Sequence, residues 1–282
     1  MERRGRAGRA AYPRVVHAKV ETVSVDCLPL RLHTVAPAGR LRDDLTPTVV
    51  LVHGIGMSHR SFRRTQRALA VTHRTVSVDL PGFGGLPGVG RRLQIEELAD
   101  LVVRGVRSRG AGPLVLVGQS MGTQVVAEAA RRHAGAVQAV VLIGPVVVPG
   151  RRSAVLQAFD LARDCTVEGL RMNTVVLTDY LRSVPQYLRE LGPMFRHRLE
   201  DTLPHVGQPV LVVRGADDPI ARRDWAARLA AAAPNGSLVE LPGPHHVQEH
   251  QPVAVARLLS DPSADPTHGG RAPDDQTMEG LR

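Results

Sequence analysis

Residues 114–133 read LVLVGQSMGTQVVAEAARRH. The apolar run at the start is typical of a strand buried on both faces, and the alanine- and valine-rich end is typical of a helix. Between them, Gly118-Gln119-Ser120-Met121-Gly122 matches Gly-x-Ser-x-Gly at a strand-to-helix turn. Glycines two positions before and after a serine prevent collisions in such a turn, and the helix N-terminus offers backbone N–H groups. We therefore predict that Ser120 is a nucleophile.

Strands and helices alternate on both sides of this stretch. The predicted strands are residues 15–26, 28–35, 48–52, 74–79, 114–117, 137–143, 210–213 and 237–241, and the predicted helices are 94–107, 121–133, 222–233 and 253–260. The short gap between the first two strands suggests an antiparallel start. The later alternation predicts the α/β class, with a mostly parallel central sheet flanked by helices.

A long segment separates the strand at 137–143 from the strand at 210–213. Residues 146–205 are predicted to form a helical lid, with helices near 154–163, 175–182 and 186–195, because long insertions in compact domains usually carry function. Larger apolar side chains of this lid are expected to pack it on the sheet and to line an acyl pocket: Leu156, Phe159, Met172, Leu177, Tyr180, Tyr187, Met194 and Phe195. The core would then comprise residues 15–145 and 206–260, between disordered tails at 1–14 and 261–282.

Composition excludes several other classes of protein. The 282 residues carry a formal net charge of +9, but the arginines are scattered and aromatic residues make up only 3%. Nucleic-acid binding is therefore not expected, since a stacking platform needs aromatic and basic residues interleaved. Two cysteines are too few for a disulfide framework. The apolar stretches are too short to cross a bilayer, and no signal-peptide core follows the basic N-terminus, so we expect a cytoplasmic protein without a membrane span.

A serine hydroxyl becomes a good nucleophile only when a base removes its proton. His245 and His246 follow the predicted strand at 237–241, and Asp217 and Asp218 follow the strand at 210–213. A carboxylate would fix the tautomer of the imidazole and stabilise its charged form. The order serine, aspartate, histidine fits a nucleophile on such a strand-to-helix turn. Either member of each pair satisfies this order.

The chain resembles the α/β-hydrolase family over roughly residues 15–260. Five stretches occur in the family's order: HGIG at 53–56, DLPGFG at 79–84, GQSMG at 118–122, RGADDPI at 214–220 and LPGPHHVQEHQP at 241–252. The first resembles the oxyanion-hole turn, the third the nucleophile elbow, and the last two the acid and histidine motifs. The match is specific for fold and catalytic triad and says little about substrate.

The resemblance implies a role for individual residues. Counting along the acid and histidine motifs selects Asp218 rather than Asp217, and His246 rather than His245. The triad would be Ser120, Asp218 and His246, and the backbone amides of Ile55 and Met121 would form the oxyanion hole. His53 and Asp79 are expected to hold their loops rather than to take part in chemistry.

The predicted function is a serine hydrolase that cleaves a carboxylic ester, or a related acyl bond, of a small and largely apolar substrate through an acyl-enzyme. One alternative is an acyltransferase or thioesterase of a biosynthetic pathway, and another is a non-catalytic, ligand-binding member of the fold. No cofactor or metal is expected, because the sequence lacks the usual zinc and nucleotide motifs. The oligomeric state is left open.

Overall fold

The computed structural model describes residues 15–37, 46–150, 152–153 and 163–260. Both predicted tails and nearly all of the helix expected near 154–163 lie outside these residues. One sheet contains eight strands: β1 Val15–Val25, β2 Leu28–Pro37, β3 Thr48–Val52, β4 Thr75–Asp79, β5 Leu114–Gln119, β6 Val137–Ile143, β7 Val210–Gly215 and β8 Gly236–Leu241. Every strand predicted from the sequence is present, with ends that differ by at most two residues.

The strands lie in the order β1-β2-β4-β3-β5-β6-β7-β8. β1 pairs with β2, and β2 with β4, in antiparallel fashion, while the pairs from β4 and β3 through to β7 and β8 are parallel. The predicted α/β class, with an antiparallel start and a mostly parallel sheet, is confirmed.

Helices cover both faces of the sheet. They are α1 Arg63–Leu69, α2 Ile95–Arg107, α3 Met121–Arg132, α4 Leu170–Arg196, α5 Leu199–Thr202, α6 Arg223–Ala232, α7 Val247–His250 and α8 Pro252–Ser260, with short 3₁₀ helices at His59–Phe62 and Leu203–His205. Side chains alternate along a strand, so β3 contributes to both cores. Val50 and Val52 pack in the cluster of α2, α3 and α6, and Val49 and Leu51 pack in the cluster of α1 and α8.

The segment between β6 and β7, called the β6–β7 segment below, differs from the prediction in one respect. The sequence suggested separate helices at 175–182 and 186–195, whereas the structure has a single helix, α4, of 27 residues. Pro185 lies inside it, and a proline there removes one backbone hydrogen bond without ending the helix. Residues 163–167 are also helical. Within the described residues, no helix is long and apolar enough to cross a membrane.

Parallel strands bring their carboxyl ends to one edge of the sheet, where α/β proteins bind ligands. β3 ends before His53, β5 ends at Gln119, β7 at Gly215 and β8 at Leu241. The residues singled out from the sequence therefore lie in loops that leave the same edge.

Candidate active site

Ser120 occupies a backbone conformation that few non-glycine residues adopt. Its φ is +55° and its ψ is −121°, at the junction between β5 and α3. Such strain persists only where the surrounding structure imposes it, and it is concentrated at functional sites. The Ser120 side chain is half-buried and faces a pocket at the carboxyl edge of the sheet.

Close backbone contacts impose this conformation. A Cβ atom on Gly118 would lie 2.2 Å from the carbonyl oxygen of Gly122, and a Cβ on Gly122 would lie 2.3 Å from the carbonyl oxygen of Val52. Both distances are far shorter than a side chain tolerates. The two glycines therefore allow the turn to pack directly against the end of β3.

Asp218 hydrogen-bonds His245. Their Oδ2 and Nδ1 atoms lie 2.8 Å apart, and both side chains are buried. The other carboxylate oxygen of Asp218 accepts the backbone N–H groups of Ile220 and Ala221 at 2.7 and 2.9 Å. Asp217 is exposed. Of the two aspartates, Asp218 is thus the one held rigidly beside a histidine.

The prediction that Asp218 orients His246 is wrong. His246 Nδ1 lies 2.8 Å from Oε1 of Glu168, on the β6–β7 segment, and Asp218 bonds the preceding residue instead. The two imidazole rings lie edge to face with centroids 5.3 Å apart. Adjacent side chains in this short turn point in different directions, so only one of them reaches Asp218. The count of residues from Gly243 along the histidine motif had selected His246 instead of His245.

The charge of Asp218 controls the protonation of His245. Burial by itself lowers the pKa of this imidazole, but the Asp218 charge and hydrogen bond, together with the nearby Asp164 and Glu168, outweigh burial and raise the pKa to about 9. For the Asp218 carboxyl, burial raises the pKa, and the charge and hydrogen bond of His245 reverse that effect and lower it. The pair is therefore a strong hydrogen-bonded couple that favours a charged imidazole.

Two carboxylates of the β6–β7 segment hold the histidine turn. Asp164 Oδ1 accepts the backbone N–H of His245 at 3.0 Å, and Glu168 Oε1 accepts that of His246 at 3.0 Å. Glu168 also bonds His250 Nε2 at 2.7 Å. Burial raises the pKa of Asp164 to about 6, whereas hydrogen bonds from His246 and His250 outweigh burial and hold that of Glu168 well below its usual range.

The predicted oxyanion donors both belong to segments that adjoin Ser120. Met121 is the first residue of α3, where a backbone N–H has no acceptor within the helix, and Ile55 lies in the turn after β3. Among the described residues, neither amide is a donor in the backbone hydrogen bonds of turns, loops and helix ends. Ile55 and Ser120 line the same pocket.

Helix α4 contacts the turn that carries Ile55. Asp179 accepts hydrogen bonds from Ser58 Oγ and Arg60 Nη1, both at 2.6 Å, and Ser183 Oγ donates to the carbonyl of Gly56 at 3.2 Å. Gly56 has a φ of +77°, and a Cβ there would collide with the ring of Tyr180. The helix thus fixes the loop by direct hydrogen bonds and by close packing.

The pocket contains Ser120 together with both histidines and has mostly apolar walls. Its lining residues are Gly54, Ile55, Met57, Gln119, Ser120, Tyr180, Tyr187, Leu191, Met194, Ile220, His245 and His246. Four of them belong to α4, including Tyr180, Tyr187 and Met194, which the sequence suggested. Met172 is buried beside Met57, Leu177 is exposed, and Phe195 packs against the core. Leu156 and Phe159 lie outside the described residues.

His53 and Asp79 connect loops, as expected. Leu80 N donates to His53 Nε2 at 3.2 Å, so the proton of this buried ring lies on Nδ1, which bonds the Gly54 carbonyl at 2.8 Å. Asp79 accepts from His33 Nε2 and from the backbone N–H of His59, both at 2.8 Å. Burial by itself raises the pKa of the Asp79 carboxyl, but hydrogen bonds from the imidazoles of His33 and His59 hold this pKa well below its usual range.

Two side-chain clusters of the described residues bring three potential metal ligands within 4.8 Å of one another: His33 with His59 and Asp79, and Asp164 with Glu168 and His246. His33 and His59 hydrogen-bond Asp79 in the first cluster, and His246 hydrogen-bonds Glu168 in the second. The rings of His33 and His59 are stacked 3.6 Å apart, so their nitrogen lone pairs run side by side rather than converging on one ion. Hydrogen bonding explains the first cluster.

The sequence motifs did not single out His245, Asp164 or Glu168 as members of this hydrogen-bonded cluster. For His245, the order of motifs allowed either histidine, and only the path of the turn separates them. Asp164 and Glu168 are four residues apart, a spacing that places two side chains on the same side of a helix. This spacing is the one feature of the sequence that could have grouped the two acids. Nothing in the sequence indicates what that side of the helix contacts.

Comparison with known proteins agrees with the fold. A model of the alpha/beta hydrolase family matches residues 49–258. An uncharacterized hydrolase of Bacillus subtilis, YugF, is 26% identical over 243 residues, which cover 76% of this chain and 89% of the relative. A pimeloyl-acyl-carrier-protein methyl ester esterase of Chromobacterium violaceum is 28% identical over 228 residues, covering 71% and 87% of the two chains.

Solved structures show the same fold. A thermophilic esterase from Thermogutta terrifontis superposes with a TM-score of 0.71 at 19% identity, covering 86% of this chain and 97% of the other. An enol-lactonase from Burkholderia xenovorans gives a TM-score of 0.71 at 20% identity, covering 86% and 98%. At such identities the likeness concerns the fold alone.

Replacing Gly122 by alanine tests the packing of the turn. Helix propensity alone favours alanine, but the added Cβ would meet the Val52 carbonyl. We expect Gly122→Ala to lower the free energy of unfolding by about 1–3 kcal/mol, measured by denaturant titration. Gly135→Ala is the control, because a Cβ there meets nothing within 4 Å. An equal effect of both variants would contradict the packing argument.

The ionisation of His245 can be followed by NMR of labelled histidine, assigned with a His245→Gln variant. We expect a pKa near 9 in the wild type and a lower value in Asp218→Asn, because the neutral amide removes the stabilising charge. Since the folded-state pKa exceeds the reference value of 6.5, the couple stabilises the fold fully below about pH 6.5 and less as the pH rises through about 9. An unchanged pKa in Asp218→Asn would refute the assignment.

Proposed function

Because the chain belongs to the alpha/beta hydrolase family, we propose that it is a serine hydrolase in which Ser120, His245 and Asp218 act together on a carboxylic ester. The observation that carries the proposal is the pocket that holds Ser120, on its strained turn, together with the histidine bonded to a buried aspartate. Relatives that are named esterases support the reaction class.

The reaction proceeds through an acyl-enzyme. Ser120 Oγ attacks the ester carbonyl while the neutral form of His245, whose share grows as the pH rises towards the imidazole pKa of about 9, accepts the hydroxyl proton at Nε2. The amides of Ile55 and Met121 stabilise the oxyanion. The imidazolium, stabilised by Asp218, then protonates the departing alcohol. In the second half, His245 takes a proton from water as the water oxygen attacks the acyl carbon. The bond to Ser120 Oγ then breaks, the imidazolium returns the proton to Oγ, and the carboxylic acid is released. The Ser120 hydroxyl forms no hydrogen bond with either histidine in the described structure, and such contacts often tighten only when substrate binds.

The pocket favours a neutral, apolar acyl group. Its walls include Met57, Leu191, Met194 and Ile220, and no arginine or lysine among the described residues lines it. Each methylene that enters such a pocket contributes up to about 0.8 kcal/mol. We therefore expect small esters with an unbranched apolar acyl chain to be better substrates than anionic ones.

Labelling and kinetics with soluble esters test the proposal. A fluorophosphonate probe should label the wild type but not Ser120→Ala, and kcat/KM for p-nitrophenyl esters should rise from acetyl to hexanoyl. Ser108→Ala, at an exposed serine beyond α2, is the control and should behave as wild type. Equal labelling of Ser120→Ala would disprove the role of Ser120, and a preference for anionic acyl groups would disprove the apolar pocket.

The choice between the two histidines is tested by matched substitutions. We expect His245→Gln to reduce kcat about 10⁴-fold or more, because the base is lost. His246→Gln removes a bond to Glu168 rather than the base, and we expect a loss of about tenfold or less. Unfolding temperatures of both variants separate loss of chemistry from loss of fold. The reverse order of activities would show that His246 is the base.

A further inference from the structure

Helix α4 exposes a line of large apolar side chains. Leu170, Leu177, Leu181, Val184 and Leu188, called the apolar ridge below, are 86%, 60%, 68%, 44% and 60% exposed. Their spacings of seven, four, three and four residues place them on one side of the helix. Exposed leucines are ordinary when scattered, but a continuous row of this kind marks an interaction surface.

The charges of α4 are sorted between its two sides. Both acidic residues, Asp179 and Glu190, are buried against the core. Arg182 and Arg189 lie at the surface and form no ion pair within the described residues. Arg196 follows Arg189 at the same spacing of seven residues, and these three arginines are called the basic row below. At 100° per residue, this basic row lies about 100° around the helix from the apolar ridge. The outward side of α4 therefore presents apolar and positively charged groups together.

We propose that the outward side of α4 docks on an anionic lipid surface, with the apolar ridge in the acyl boundary and the basic row at the headgroups. An amphipathic helix with leucines on one side and arginines beside them has the chemistry of an interfacial helix. Arginine stems lie along apolar surface while the guanidinium groups reach the phosphates. The whole chain carries a net charge of +9, which adds attraction to such a surface.

A second copy of the chain fits this side less well. If two ridges packed against each other in antiparallel fashion, the basic rows of both copies would lie on the same side of the contact, and no exposed acid of α4 would compensate them. Like charges across an interface oppose association. An anionic lipid surface satisfies the ridge and the arginines at once.

Docking would also place the pocket near the lipid. Tyr180, Tyr187 and Leu191 line the pocket and lie on the side of α4 next to the apolar ridge, opposite the basic row. If the proposed ester hydrolysis holds, the natural substrates are amphiphilic esters that reach Ser120 from a lipid layer. This part rests on the proposed function, whereas the docking itself does not.

Vesicle co-sedimentation of the full chain tests the proposal. Wild type should bind phosphatidylglycerol vesicles at least tenfold more tightly than phosphatidylcholine vesicles. Leu177→Ser/Leu181→Ser should weaken binding to phosphatidylglycerol about tenfold or more, and Arg182→Gln/Arg189→Gln should bring the two affinities together. Val253→Ser, at a valine of α8 that is 53% exposed, is the matched control and should bind as wild type. Unfolding temperatures verify that every variant is folded.

Three results would overturn the proposal: no binding of wild type to either vesicle, unchanged binding by the ridge variant, or a wild-type dimer in sedimentation equilibrium that the ridge variant abolishes. The last would assign the ridge to a second copy. Hydrolysis of a soluble short-chain ester without vesicles keeps the two hypotheses apart. The ridge variant should retain it, and its absence in wild type would contradict the proposed function rather than lipid docking.

Discussion

The arrangement at the carboxyl edge of the sheet depends on the direct contact between the turn at Ser120 and the end of β3. Gly122 approaches the Val52 carbonyl, and a Cβ on Gly54 would lie 2.9 Å from Cβ of Ser120. With no side chains between them, the two loops bring the Ile55 turn and the Ser120 hydroxyl to the same pocket. A larger residue at either glycine would push apart the Ser120 hydroxyl and the Ile55 turn.

Buried carboxylates supply the second constraint. Asp164, Glu168 and Asp179 all come from the β6–β7 segment, and all are buried. Burying an unpaired charge costs several kcal/mol, so each must find partners when the segment docks. Their partners are groups of the histidine turn and of the loop after β3. These bonds define one docked position for the segment, in which it stabilises the loops that carry His245 and Ile55.

The sequence predicted most of the fold, because patterns within short stretches determine it. Continuous apolar runs such as Thr48–Val52 become strands buried on both faces, and the order of strands and helices favours a parallel sheet. The serine and the aspartate of the site could be predicted for the same reason, since each follows a recognisable strand and turn. The histidine could not, because His245 and His246 differ only in the direction of their side chains. The partners of Asp164 and Glu168 lie about 80 residues away along the chain, and local sequence carries no record of such contacts.

The bonds from Asp164, Glu168 and Asp179 to the core loops limit how a ligand can enter. Swinging the β6–β7 segment away would strip these carboxylates of their donors and release both loops at the same moment. A state in which the segment has moved far enough to open the pocket widely would therefore also have lost the hydrogen bonds that hold the two loops in place. Rearrangement of a few side chains that line the pocket, such as Tyr180 and Tyr187 with ring centroids 5.0 Å apart, would leave every one of those bonds intact. A molecule that enters without breaking these bonds is limited in size by how far the side chains that line the pocket can turn, rather than by how far a helix can move.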